Sequence, residues 1–178
     1  MTIHFTAVNF MFGLLLEYKT AFEASVKIAR LKQTLADNGF SFGEIFPVIL
    51  TDNGGEFSDI AAFENDINGN IESKLFFCDP MQSSQKPFIE KNHTLFRDVI
   101  PKGTSFDSFT QQTVNLIFSH VNSVKRKIFN NKSPYEMFSF LYSRKLLSVL
   151  EIVEINADKV VQSPKLQNLS EFVMSLSK

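Results

Sequence analysis

The sequence predicts an α/β protein, and three observations carry that prediction. Uncharged β-branched and aromatic runs near residues 2–16 and 46–51 read as strands, capped segments with heptad-like apolar spacing read as helices, and the two kinds alternate along the chain. At 178 residues and 44% apolar content the chain has the length of one domain and can fill a core, which excludes disorder and collagen-like structure. Its aromatic bulk comes from 20 phenylalanines, with no tryptophan.

Taken in order, Thr2–Ala7 and Phe10–Glu17 are the first two strands, free of charge before Glu17, and at least one should be central. Thr20 with Glu23 predicts a capping box, followed by a helix whose apolar positions Ala21, Ala24, Ile28, Leu31 and Leu35 run to a C-cap at Asn38-Gly39. Phe46-Pro47-Val48-Ile49-Leu50-Thr51 is nearly continuous apolar sequence and predicts a buried strand covered on both faces, ending at Asp52. After Asn53-Gly54-Gly55, the set Phe57, Ile60, Ala61, Glu64 and Ile67 predicts a short helix, and Ile71–Phe77 predicts a strand that closes at Cys78-Asp79-Pro80.

A helix over 87–100 opens on Pro87, at a first-turn position where the missing N–H costs nothing. At 100° per residue Phe88, Asn92, Leu95 and Val99 share one face, while Glu90, Thr94 and Arg97 share the opposite one. One face packs and the other is left for chemistry. Pro101-Lys102-Gly103-Thr104 then breaks the chain before a helix over 108–127, whose buried stripe is Val114, Ile117, Val121, Val124 and Ile128, with Lys125-Arg126-Lys127 at its end. Ser133-Pro134-Tyr135-Glu136 combines a capping box with proline at N1 and starts a helix running to Tyr142. The organisation this suggests is a core over 1–145 with a small appendage over 146–178.

Composition narrows the function. The single cysteine, Cys78, cannot form an internal disulfide, which fits a reducing, cytoplasmic setting. The longest apolar stretch, Phe5 to Leu16, is 12 residues, too short to span a bilayer, and Met1 to Glu17 lacks the basic residues of a signal peptide. Charge is unevenly distributed: residues 1–85 hold 5 Lys/Arg against 11 Asp/Glu, whereas residues 86–145 hold 10 against 4. Such asymmetry suits an acidic metal-binding region beside a nucleic-acid face, or two differently solvated surfaces.

Two acids stand out. Asp52 sits at the carboxyl end of a strand, where open α/β sheets gather their ligands, and Glu90 lies on the charged face of a later helix. Aspartate before Asn-Gly-Gly also serves ordinary turn chemistry, and Glu56 beside it reads as a first-turn residue favourable to a helix dipole. The element order, strand, strand, helix, strand with acid, helix, strand, helix with acid, is that of a ribonuclease-H-like mixed sheet flanked by helices with its first strand missing.

Thr51-Asp52-Asn53-Gly54-Gly55-Glu56-Phe57 resembles the second-aspartate motif of retroviral-type integrases and DDE transposases. Glu90-Lys91-Asn92-His93, Leu95-Phe96-Arg97 and Pro101-Lys102-Gly103-Thr104 resemble the third-carboxylate helix of the IS30 family of bacterial insertion-sequence transposases. Cys78-Asp79-Pro80 and Ser133-Pro134-Tyr135-Glu136-Met137-Phe138 resemble that family's pattern too, and the 38 positions from Asp52 to Glu90 suit its spacing. The resemblance implies DNA transposition by metal-dependent phosphoryl transfer, with Asp52 and Glu90 as catalytic carboxylates and ligands of Mg²⁺ or Mn²⁺.

It further implies DNA as partner, both inverted repeats and target; Arg97, on the Glu90 face, suits a phosphate contact or a surface ion pair, and Lys102 with Lys125, Arg126 and Lys127 suits backbone phosphates or plain solvated surface. A homo-oligomer, or a mixed oligomer with full-length transposase in the bacterial cytoplasm and nucleoid, follows from the same likeness. The strand that carries the family's first aspartate should precede Thr2–Ala7. An N-terminally truncated core, inactive alone, is therefore expected; the alternative is a non-catalytic product that binds transposase or DNA and regulates transposition.

Overall fold

The structure, a computed structural model, describes residues 1–78 and 94–167. They belong to two compact units, one of Met1–Leu15 with Lys86–Lys178 and the other of Leu16–Gln85. The protein is α/β, as the sequence predicts, and its described strands form two two-stranded sheets.

In the first unit, β1 (Thr2–Phe5) and β2 (Phe10–Gly13) pair antiparallel in the register Thr2↔Gly13 to Phe5↔Phe10. Both are shorter than predicted. A 3-10 turn over Thr6–Val8 ends on Asn9 at φ 51°, a left-handed conformation that asparagine tolerates. All of β2 is buried, but in a two-stranded sheet neither strand is central, so the expected central strand is not formed among the described residues. The longest helix among the described residues of this unit, labelled α4 below (Gln111–Ser123), packs on β2 and is capped by reciprocal Thr110–Thr113 bonds. Glycine at 13 is required by that approach: a Cβ there would lie 2.5 Å from the Phe118 ring and 2.9 Å from Val114 Cγ1. Gly13→Ala is expected to lower stability by about 1–3 kcal/mol through overpacking, measurable by urea denaturation.

Val114, Ile117 and Val121 are buried as the stripe predicts, but α4 ends at Ser123, Val124 is half-buried and Ile128 is 66% exposed. The helix stops at Ser123 rather than running on to residue 127. Val124 is extended, and the chain beyond it makes an Arg126–Lys132 bridge around the left-handed pair Asn130 and Asn131. α5 (Pro134–Leu141) has the predicted capping box, Ser133 Oγ accepting from Glu136 N–H at 3.1 Å and Glu136 Oε2 accepting from Ser133 N–H at 2.6 Å. α6 (Arg144–Val149) follows, and Leu146, Leu147, Leu150, Ile152 and Leu166 are all buried.

The segment after α6 is tied to α4 through side chains. Ser119 Oγ and Ser123 Oγ accept from the Val153 and Ile155 N–H groups at 3.1 and 2.9 Å, and His120 Nδ1 accepts from Val161 N–H at 3.0 Å. Burial pushes the His120 pKa from 6.5 down to about 4. Between those values the unfolded chain binds a proton that the folded one refuses, so stability falls on acidification from pH 6.5 to 4, by about 2–3 kcal/mol. Urea midpoints measured at pH 7, 5 and 4 should follow this slope, and His120→Gln, which accepts a bond but does not titrate, should flatten it.

In the second unit, α1 (Ala21–Asp37) buries Ala24, Ile28, Leu31 and Leu35. Thr20 caps it as predicted, but the Glu23 carboxylate accepts from the Glu17 and Tyr18 N–H groups at 2.6 Å each rather than closing the box on Thr20. Those two bonds, Glu17 first, hold the Glu23 pKa below the usual carboxylate range. α2 (Phe42–Ile45) leads to β3 (Val48–Thr51), which pairs parallel with β4 (Lys74–Phe77), Val48↔Lys74 to Thr51↔Phe77. The expectation of two covered faces for β3 fails: Val48 is 63% and Leu50 48% exposed, whereas Thr51 is buried and Ile49 half-buried. Continuous apolar sequence hid an ordinary period-two alternation. Between the strands, a 3-10 turn (Gly55–Phe57) and α3 (Ile60–Glu64) replace the single helix predicted.

Candidate functional site

β3 delivers Asp52 directly after its buried last residue, Thr51, so the carboxylate stands exposed at the carboxyl end of the strand. Its Oδ1 accepts from Gly54 N–H at 3.2 Å, which is the turn chemistry that aspartate before Asn-Gly supports. The turn returns Glu56 toward it. Glu56 Oε1 pairs with Lys19 Nζ at 3.3 Å, and Glu56 Oε2 is shielded from solvent with no hydrogen-bond partner. A Cβ on Gly54 would fall 2.5 Å from Glu56 Oε2 and 3.1 Å from Asp52 Oδ1, so both carboxylates lie against the same side of Gly54.

Neighbouring elements hold this loop. α1 packs on the Gly55–Phe57 turn, and the Phe57 and Phe63 rings lie 5.8 Å apart. Ser25 Oγ donates to Asp59 Oδ2 at 2.7 Å, while Asp59 Oδ1 caps α3 by accepting from Ala62 N–H at 3.3 Å. A hard oxygen donor set with one buried unsatisfied oxygen fits a divalent cation such as Mg²⁺ or Mn²⁺, which takes one or two carboxylates and fills the rest of its shell with water. Among the described residues no group of three His, Cys, Asp or Glu side chains converges on one point.

Glu90, with Lys91, Asn92 and His93, lies outside the described residues, as do Asp79 and Pro80. The described end of its predicted helix is helical at 94–99, with Val99 buried and Thr94 and Arg97 exposed, matching the two faces expected. Lys102 is exposed on a turn in which Thr104 N–H donates to Pro101 O at 3.2 Å and Gly103 takes φ 86°. Asp52 belongs to the second unit, whereas Arg97, Lys102 and the 125–127 run belong to the first.

The basic run divides. Lys125 and Lys127 are exposed, but Arg126 is 8% exposed, its Nη2 donating to Val121 O at 3.4 Å and burial pushing its pKa down. Three consecutive cations beyond a helix end suggest one surface, yet the extended backbone at Val124 and Arg126 turns the middle one inward. Lys132, across the bridge from Arg126, is exposed beside them and was missed because it stands apart in sequence. Sequence reasoning also gave Lys19 no role, since a lone lysine near Tyr18 carries no motif.

No family model matches the chain, and no solved structure matches it. Over 127 residues, 71% of this chain and 37% of the relative, it is 32% identical to the ORF3 protein of Spiroplasma virus SpV1-R8A2 B, which bears an integrase name. Over 90 residues, 51% of this chain and 26% of the relative, it is 33% identical to the transposase for insertion sequence element IS4351 of Bacteroides fragilis. Over 64 residues, 36% of this chain and 17% of the relative, it is 33% identical to transposase InsI of IS30A from Escherichia coli K12. The chain thus spans between about a sixth and just over a third of these relatives. A match of 127 residues within 178 includes positions 52–127 wherever it begins, and so takes in both Asp52 and Glu90. Over these partial stretches the chain is similar to an integrase-named viral protein and to insertion-sequence transposases, IS30A among them.

Proposed function

We propose that this chain is catalytic-core sequence of a DDE-type DNA transposase with ribonuclease-H-like architecture, in which Asp52 and Glu90 hold Mg²⁺ or Mn²⁺. The observation that carries this reading is an exposed aspartate immediately after a strand, on a turn whose buried carboxylate oxygen has no donor, within the stretch matched to an integrase-named relative. When bound, such ions activate the attacking water or 3′-hydroxyl and stabilise the leaving oxygen. The residues of the chain then have simple duties: Asp52 and Glu90 anchor and orient, and Arg97, Lys102, Lys125 and Lys127 bind phosphates.

Two measurements test this. Magnesium titration calorimetry should give saturable binding that Asp52→Asn and Glu90→Gln each remove; no response to magnesium, with DNA or transposase still bound, would instead mark a regulatory binding module. For DNA, the double variant Lys125→Ala with Lys127→Ala should weaken binding to insertion-sequence ends and lower the slope of log K against log salt by about 2. An unchanged slope removes these lysines from the interface.

A further inference from the structure

The two oxygens of Glu56 have unlike surroundings. Oε1 faces the Lys19 ammonium at 3.3 Å, and Oε2 is shielded from water without a partner. An ionised oxygen in that position is costly unless something cationic faces it. Lys19 meets only the other oxygen, and its side chain is 75% exposed against 13% for Glu56, so the pair is weakly held.

Gly54 gives the second observation. Its φ of −64° and ψ of 140° suit any residue, so the backbone there does not demand glycine. What the missing Cβ permits is the close approach of Glu56 Oε2 and Asp52 Oδ1 to the same side of Gly54. From this geometry we infer that Glu56 is a second carboxylate contact for the divalent cation at Asp52, and that Lys19 is the counter-ion this cation displaces. The inference rests on the reading of Asp52 as a metal-holding residue. A dication gains more from two carboxylates than the Lys19 ammonium does from one, and the loop that positions both acids is already fixed by α1 and by the Ser25–Asp59 bond.

The test is Mn²⁺ titration of the full chain, with the free ion followed by electron paramagnetic resonance. Glu56→Gln should weaken Mn²⁺ binding by about tenfold, the size expected when a supporting carboxylate is lost. Gly54→Ala should weaken it at least as much, because its methyl group pushes aside the flexible end of Glu56 and crowds Asp52 Oδ1 at 3.1 Å without straining the backbone. Lys19→Met should tighten binding several-fold. Wild-type affinity in both Glu56→Gln and Gly54→Ala, with binding still lost in Asp52→Asn, overturns the role of Glu56 and leaves the Asp52 reading intact. Unchanged affinity in Lys19→Met overturns the counter-ion role. Retention of Mn²⁺ by Asp52→Asn, or no binding by the wild type, removes both readings.

Discussion

Phe138→Ala should lower the stability of the first unit by about 3–5 kcal/mol, because the ring it deletes is the hub of the aromatic core. Phe138 is fully buried, stacked on Phe10 at a centroid distance of 4.1 Å and on Tyr142 at 4.6 Å, and meets the Phe5 ring edge-on at 4.9 Å. Three elements, β1, β2 and α5, therefore share one side chain's contacts. Removing it leaves a cavity walled by aromatic rings, which close in on empty space less readily than flexible aliphatic chains do. Guanidinium unfolding followed by far-ultraviolet circular dichroism gives the loss directly, and Phe138→Leu should recover more than half of it. A cost below about 1 kcal/mol for the alanine variant would mean that this cluster does not organise the core.

Lys32→Ala is the second large effect, expected at about 3 kcal/mol in the other unit. Lys32 is a nearly buried cation whose side chain is 10% exposed. Its Nζ donates to Phe63 O at 3.2 Å and Asn65 O at 2.6 Å, pairs with Glu72 at 2.9 Å, and lies 4.6 Å from the centre of the Phe42 ring. Truncation strands two carbonyls and a carboxylate, which costs more than the bonds contributed when made. Lys32→Met keeps the aliphatic stem and should lose slightly less, so the difference between the two variants separates packing from charge. Hydrogen exchange at β3 and β4 should rise in both, since this ammonium ties the end of α3 and the residues just before β4 to α1. Exchange unchanged from wild type would show that the unit does not depend on it.

Local rules were legible where a few adjacent residues decide the outcome. Ser133 and Glu136 announced α5, and Thr20 with the Ala24, Ile28, Leu31, Leu35 spacing announced α1, because caps and helical period are properties of neighbours in sequence. Asp52 was legible for the same reason: a strand ending in Asp-Asn-Gly must turn there, and the carboxylate is left at the strand's end. The exposure of Val48 and Leu50 was not, because an apolar run carries no mark of which face a neighbour covers. Arg126 misled as well. Charge argues for solvent until a backbone carbonyl, here that of Val121, receives the guanidinium.

By itself, the sequence determined the α/β class, the capped starts of α1 and α5 and the acid-bearing turn, all of which follow from propensities and spacing within a dozen residues. Tertiary structure alone decided how the buried polar atoms are satisfied. Asn122, with Oδ1 accepting from Met11 N–H at 2.9 Å and Nδ2 donating to Met11 O at 2.6 Å, serves β2 from 111 positions away, as a strand would. Glu56 returns to Asp52 only because Gly54 leaves room for it. Partners so distant, or so dependent on absent atoms, are selected by the need to pair every desolvated polar group, and that need exists only once the chain has closed around them.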